Sequence, residues 1–351
     1  MGWMQTWSRK ALLAVSAVFL LIAPALGQTA QSAQTAQAMP SSEPGTIRIW
    51  GDPMMRPMLE RWEKGFAADH PGVRFENKLF GTVTAIAGLD HKVAELAAMG
   101  RELSVDESMS FEWIYRYKPL ALKVSSGSLN VQGEAPALAI LVNRQNPINQ
   151  IDLDQLRIGF TCCASQPGSE AEHVKAATWG DLGAKGPFAA RPVHPMGLAL
   201  DGDDADLFRA LALNNSYQWS CQYRALPSGR SIVEAVRKDP GALALASVAD
   251  ATPQVKILAL VGPSGGQGVL PTRESVADHK YLLSRFTYLI ANRAPGQPLD
   301  PEVEAFLRYV LSRQGQDDIM RSGGYLPLPA PVAAQQFQKL NREVKAHDSR
   351  Q

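Results

Sequence analysis

Cysteine, long apolar runs and an excess of either charge are all scarce in these 351 residues. The longest apolar run, from Ala11 to Leu26, is broken by Pro24 and is shorter than the ~20 residues of a comfortable membrane span, which argues against a retained anchor. Lys and Arg total 35 against 34 Asp and Glu, a formal charge of +1. That balance lacks the basic surplus on which nucleic-acid affinity depends, so no nucleic-acid partner is expected. The three cysteines, Cys162, Cys163 and Cys221, have no patterned histidines beside them and do not make a zinc signature. Histidines 70, 91, 173, 194, 279 and 347 are scattered, no Gly-x-Ser-x-Gly elbow occurs, and Asp203-Asp204 lack an evident metal partner. An enzyme therefore ranks well below a binding protein, and no cofactor is expected.

What is present starts with Arg9-Lys10, the apolar run and the small residues around Ala25-Leu26-Gly27, which together read as a secretory signal peptide over residues 1–27. No Cys follows Gly27, so a lipoprotein acceptor is missing. Residues 28–45 are rich in Gln, Ala, Ser and Thr without apolar periodicity and read as a disordered tether. A periplasmic or secreted chain is expected, with room for one disulfide. A bridge between neighbours is geometrically awkward, so Cys221 is expected to pair with Cys162 or Cys163.

The remaining length suits two domains, each with its own core. Ile47 and Ile49 alternate with Thr46 and Arg48, as a half-buried strand requires. Met58, Leu59, Trp62 and Phe66 then share one helical face, Pro71-Gly72 stops that helix, and Val73-Arg74-Phe75 returns to period two. This strand-helix-strand grammar predicts a largely parallel sheet, with ligands at the carboxyl ends of its strands. Near the end, Asp300-Pro301 supplies a cap and a first-turn proline, and Val303, Phe306, Leu307, Val310 and Leu311 mark one apolar face. Trp50, Trp62 and the pair Met54-Met55 read as core.

Several stretches carry a family likeness: Ile47-Arg-Ile-Trp-Gly51-Asp52-Pro53, Gly81-Thr82-Val83-Thr84, Ala98-Met-Gly-Arg101-Glu102, the linker Arg191-Pro-Val-His194-Pro195, and the run from Pro298 through Phe306-Leu-Arg-Tyr-Val310 to Gly324-Tyr-Leu-Pro-Leu328. Over most of residues 46–330 the chain resembles the PstS-type phosphate-binding proteins of ABC importers. The resemblance implies a two-lobed α/β fold of the periplasmic-binding-protein type II kind, with a discontinuous first lobe. It divides the chain into 46–135 (first lobe), 136–252 (second lobe), 253–335 (first lobe again) and a tail 336–351, with crossings at Ala135–Asn146 and Gln254–Leu260. It also implies a monomer that binds a small anion such as phosphate and serves an ABC permease or a membrane sensor.

An oxyanion needs donors, and backbone N–H groups at helix N-termini, helped by hydroxyls, supply them. Three places fit: Gly51-Asp52 after the first strand, Gly81-Thr82-Val83-Thr84 ahead of a helix, and Ser228-Gly229-Arg230-Ser231 ahead of another. The resemblance adds Thr82 and Thr84 as hydroxyl ligands and Arg101 at the cleft edge. Each has a plainer reading: Ser231 with Glu234 has capping-box spacing, the threonines suit a turn, and an exposed Arg paired with an acid is common. Two departures weigh against tight phosphate capture. Gly51-Asp52-Pro53 replaces a Gly-Ser-Thr-like turn, and Asp201-Gly202-Asp203-Asp204 replaces a Ser-Gly-Thr ligand loop. One lost hydrogen bond to a charged ligand costs about 1.5–3 kcal/mol. A carboxylate ~4 Å from an anion adds repulsion of about 4 kcal/mol at an effective dielectric near 20. Together they predict weakening of at least about a thousandfold.

Overall fold

The period-two pattern at the start produces a strand, Thr46–Gly51, whose residues alternate between half-buried and buried. This is a computed structural model, described over residues 45–161, 176–321 and 324–342. The expected signal peptide, the tether up to residue 44, and Cys162 and Cys163 lie outside the described residues.

In chain order the strands are β1 (Thr46–Gly51), β2 (Arg74–Lys78), β3 (Leu96–Met99), β4 (Leu120–Ser125), β5 (Leu138–Asn143), β6 (Gln150–Asp152), β7 (His194–Gly197), β8 (Arg224–Ala225), β9 (Ala242–Ser247), β10 (Val255–Ile257), β11 (Ala259–Val261) and β12 (Thr287–Ala291). The helices are α1 (Arg56–Asp69), α2 (Thr82–Asp90), α3 (Val105–Tyr115), α4 (Leu153–Thr161), α5 (Asp203–Ala212), α6 (Gly229–Lys238), α7 (Arg273–Ala277), α8 (Pro301–Leu311), α9 (Arg313–Arg321) and α10 (Ala330–Asn341).

Two five-stranded sheets form, in the orders β2-β1-β3-β12-β4 and β10-β5-β9-β7-β8, with a small β11-β6 pair besides. The first is parallel from β2 through β3, and β12 then runs antiparallel to both β3 and β4. Successive strand residues face opposite sides. Leu96 and Ala98 pack with Trp62, Phe66 and Phe306, while Ala97 and Met99 pack with Ile86, Leu89 and Phe111. The sheet is thus covered on both faces. Buried in α1 are the four residues that the periodicity picked out, Met58, Leu59, Trp62 and Phe66. The Trp62 indole N–H donates to Gly315 O at 2.8 Å, so the largest side chain of this core carries no unmet donor. Asp300 accepts from the backbone N–H groups of Glu302 and Val303, and all five apolar residues predicted for α8 are buried.

The second sheet has a separate core around β5, β9, Trp179, Phe160 and Phe208. Its central strands β5 and β9 are buried at every position, which is why they read as unbroken apolar runs. The chain enters this lobe through residues 126–137. It leaves later than expected. β10, within the expected crossing at Gln254–Leu260, is an antiparallel edge strand on β5, and Leu258, Leu260, Val276, Tyr281 and Leu283 belong to the second core. The return to the first sheet falls just before β12, because β10, a three-residue strand with one buried and two half-buried residues, suits a sheet edge as well as a connection. The first residues of the expected tail, 336–341, instead complete α10, where Gln336 and Leu340 are buried, and residues 343–351 lie outside the described residues.

Candidate functional site

The carboxyl ends of β1 and β3 and the N-termini of α2 and α5 converge on one polar cluster. Gly51 permits this, because a Cβ there would stand 2.0 Å from Ala98 O. The chain turns at Asp52, whose N–H donates to Ala98 O at 2.9 Å and whose Oδ1 accepts from Met54 N at 2.8 Å. Asp52 is 2% exposed, and its Oδ2 has no hydrogen-bond partner. Burial, reinforced by Asp203 and Asp204, pushes its pKa above the usual carboxylate range despite the Met54 hydrogen bond and Arg285.

α2 begins at Gly81, where φ is +124°, a conformation that glycine adopts without strain. Its first residue, Thr82, is buried and donates its hydroxyl to Asp203 Oδ2 at 2.5 Å. Thr84 turns the other way, donating to Gly81 O at 2.7 Å. Of the two threonines implied as ligands, only Thr82 reaches the cluster.

Arg101 follows β3 and is 4% exposed, which removes the plain reading of a surface ion pair. Its Nη1 and Nη2 donate to Glu107 Oε2 and Oε1 at 2.8 and 3.0 Å, and its Nε donates to Asp203 Oδ1 at 3.0 Å. Nη2 also lies 3.2 Å from Asp206 Oδ2. Burial disfavours the charge of Arg101, but Glu107, Asp203 and Asp206 outweigh it and keep the guanidinium ionised. Glu107 is itself fixed, since Ser104 and Glu107 form the capping box of α3. Burial would raise the pKa of Glu107, yet the Arg101 pairing wins and lowers it. Asp206, which also accepts from Arg209 at 2.6 Å, is pushed up by burial in spite of both arginines.

Asp203 and Asp204 open α5, where acidic residues in the first turn suit the positive end of the helix. Asp204 Oδ1 accepts from Arg285 Nη2 at 2.6 Å. Arg285 is 2% exposed and sits in the segment that returns to β12. Sequence reasoning missed Arg285, Glu107 and Asp206. An arginine directly ahead of an apolar strand and the Ser104-x-x-Glu107 spacing were visible signals for the first two.

The third expected place does not join the cluster. Ser228, not Ser231, caps α6, accepting from Ser231 N at 3.2 Å, and Glu234 pairs with Arg237 and Lys238 instead of closing a box. Ser228 starts the helix one turn earlier than the expected box. A Cβ on Gly229 would meet the Asp250 carboxyl carbon at 1.9 Å, so that helix start is already covered by an internal acid. No hydrogen bond links Ser228, Gly229 or Ser231 to Thr82, Arg101 or Asp203 among the described residues. Cys221 is disulfide-bonded; the two cysteines expected as its partner lie outside the described residues.

Two α/β lobes meeting where a hydroxyl and a guanidinium of one hold a carboxylate of the other give the architecture of a bilobal solute-binding protein. The family profile described as PBP superfamily domain matches residues 29–314, and the chain belongs to this superfamily. It is 29% identical over 329 residues to the phosphate-binding protein PstS of Pseudomonas aeruginosa, covering 92% of this chain and 97% of that one. Its fold matches an ABC-type phosphate transport receptor from Vibrio cholerae with a TM-score of 0.56 at 17% identity, over 80% of this chain and 100% of the other. A possible phosphate binding protein from Planctomyces limnophilus gives 0.53 at 17% identity, over 86% and 99%.

Proposed function

We propose that this chain is an exported, periplasmic solute-binding protein whose cleft takes phosphate or a similarly small oxyanion, for delivery to an ABC-type permease or report to a membrane sensor. One observation carries the reading: Thr82 and Arg101 hold a carboxylate, that of Asp203, from two sides. Donors arranged for one two-oxygen anion also suit a tetrahedral one. The name of the Pseudomonas relative supports phosphate as the first ligand to try.

The seat is filled by the protein's own acid, so an incoming anion must displace Asp203. Around it stand Asp52, Asp203, Asp204, Asp206 and Glu107 against Arg101, Arg209 and Arg285, an acid excess that opposes a second anion. Phosphate therefore binds weakly at neutral pH. The cleft is read as binding rather than catalytic, because each of its hydroxyl and cationic groups is engaged in holding an anion.

Calorimetric titration of phosphate into the wild type and into Asp203→Ser with Asp204→Gly tests this reading. Weak binding that tightens in the variant supports it. Absence of binding in both supports the alternative that this acid excess also favours, a diverged cleft that takes another small molecule or a protein partner.

A further inference from the structure

α3 is apolar on two sides and covered on one. Its inner face presents Phe111, fully buried in one cluster with Ala97, Met99 and Ile290, and Tyr115 packs beside that ring. Its outer face carries Val105, Met109 and Trp113, each four residues from the next, so they form a single stripe along the helix. These three are 56, 50 and 71% exposed. With Ile114 they make four of the eleven large apolar side chains left exposed among the described residues, all on one eleven-residue helix. A helix that is apolar all round is normally buried, and a contiguous exposed apolar patch marks a place of contact. The face is also preformed. The Ser104–Glu107 capping box fixes the first turn of α3, and Arg116 closes the last in the left-handed conformation.

The charges that flank the stripe select what covers it. Asp106 is exposed in the first turn, and Arg116 and Lys118 are exposed at and beyond the end. Asp106 takes the Tyr217 hydroxyl with Oδ2, which leaves Oδ1 for a cation. Lys118 is turned to Glu112 at 3.8 Å, so Arg116 is the cation at the end of the stripe. A helix that runs from acid to base complements a copy of itself laid antiparallel, where the two helix dipoles are also opposed. A parallel copy, or a partner carrying charge of one sign, would meet like charge at one end. The formal charge of +1 leaves little repulsion between copies. Spacing then sets the register, because Met109 and Trp113 are centred on the same point of α3 as Asp106 and Arg116. A single two-fold axis brings both pairs level.

We propose that this face is a homodimer interface, in which α3 of one copy lies antiparallel on α3 of a second, with the two-fold axis at the level of Phe111. Met109 then meets Trp113 of the partner subunit, sulfur against aromatic ring, and Asp106 meets Arg116 of the partner subunit, each contact occurring twice by symmetry. The dimer stands in place of the monomer that the family likeness implies. It uses none of the residues assigned to the oxyanion.

Sedimentation equilibrium of the purified protein without phosphate, from ~1 to ~100 μM, reads the association over a range suited to a small interface. A monomer–dimer equilibrium is expected. Trp113→Glu changes an exposed side chain and is expected to weaken the dimer about a hundredfold or more, because a symmetric interface loses the residue twice. Arg116→Glu is expected to weaken it about tenfold, and adding Asp106→Lys to that variant should recover most of the loss, since the reversed charges pair again in the antiparallel register. Circular dichroism confirms that the variants fold. Three results would each overturn the proposal: a protein that stays monomeric at ~100 μM, a dimer as tight in Trp113→Glu as in the wild type, or a double variant no tighter than Arg116→Glu alone. Association is judged without ligand, so its failure and the failure of the phosphate reading are distinguishable.

Discussion

Arg101 Nε lies 3.0 Å from Asp203 Oδ1, across 102 residues of sequence and between two lobes. Thr82 completes the grip on the same carboxylate, and Arg285 holds the neighbouring Asp204. The N-terminal turn of α5 is thus latched by three side chains, Thr82, Arg101 and Arg285, with a further contact from the Tyr217 hydroxyl to Asp106. The latch and the proposed anion seat share the Thr82 hydroxyl and the Arg101 guanidinium.

Replacing Asp203 by Ser and Asp204 by Gly is therefore expected to act in opposite directions on two measurements. Phosphate affinity rises about tenfold or more, because a competing anion and its repulsion are removed. Stability without ligand falls, since Arg101 and Arg285 each lose a buried partner. Calorimetry and thermal melting read the two; a joint fall in both would show that the aspartates assist the ligand.

The two threonines separate cleanly. Thr82→Ala is expected to cost phosphate about tenfold in affinity, the worth of a hydrogen bond to a charged group. Thr84→Ala should leave affinity within about twofold, because its hydroxyl serves Gly81 O and its loss is a local capping effect. Equal losses would mean that the turn rearranges on binding.

Asp52 sets a pH dependence. Its folded pKa is raised by burial above the unfolded value, so its neutral form is the one that folding favours. The resulting penalty is absent below the unfolded pKa, grows as pH climbs from there to the folded pKa, and is complete above it. Asp52→Asn keeps an acceptor for Met54 N and removes the charge. It should raise the melting temperature at pH ~8 and lose that advantage near pH ~3. In the wild type, phosphate affinity should rise as pH falls and Asp52 gains its proton. A pH-independent affinity would place Asp52 outside the anion's field.

Arg101→Met should destabilise the protein by about 3–5 kcal/mol, because Glu107, Asp203 and Asp206 lose their shared cation while remaining largely buried. Urea unfolding at pH ~7 measures this, and addition of phosphate should not rescue it. A loss below ~1 kcal/mol would indicate that water reaches the cluster freely.

The expected pairing of Cys221 with Cys162 or Cys163 leaves one thiol free. Thiol titration of the unfolded, unreduced protein should count one, and a count of three would remove the bridge.

Much of the framework could be read along the chain because its causes are local. The alternation around Ile47 and Ile49, the apolar face Met58-Leu59-Trp62-Phe66, and the Asp300 cap before Pro301 each depend on residues within a turn or two of one another. The family likeness rested on those same segments. Local patterning could not decide which strand joins which sheet: β10 satisfies a crossing and a sheet edge equally, and only its pairing with β5 places it. Nor could it decide the site. Asp203 and Asp204 read as replacements that would repel an anion, Arg101 as an exposed surface charge, and Arg285 only as a charge ahead of an apolar strand. Only the approach of two lobes puts these four within hydrogen-bonding distance and takes them out of water. Burial is a property of the whole packed chain, and it turns an ordinary pair of acids into the partners of two buried arginines.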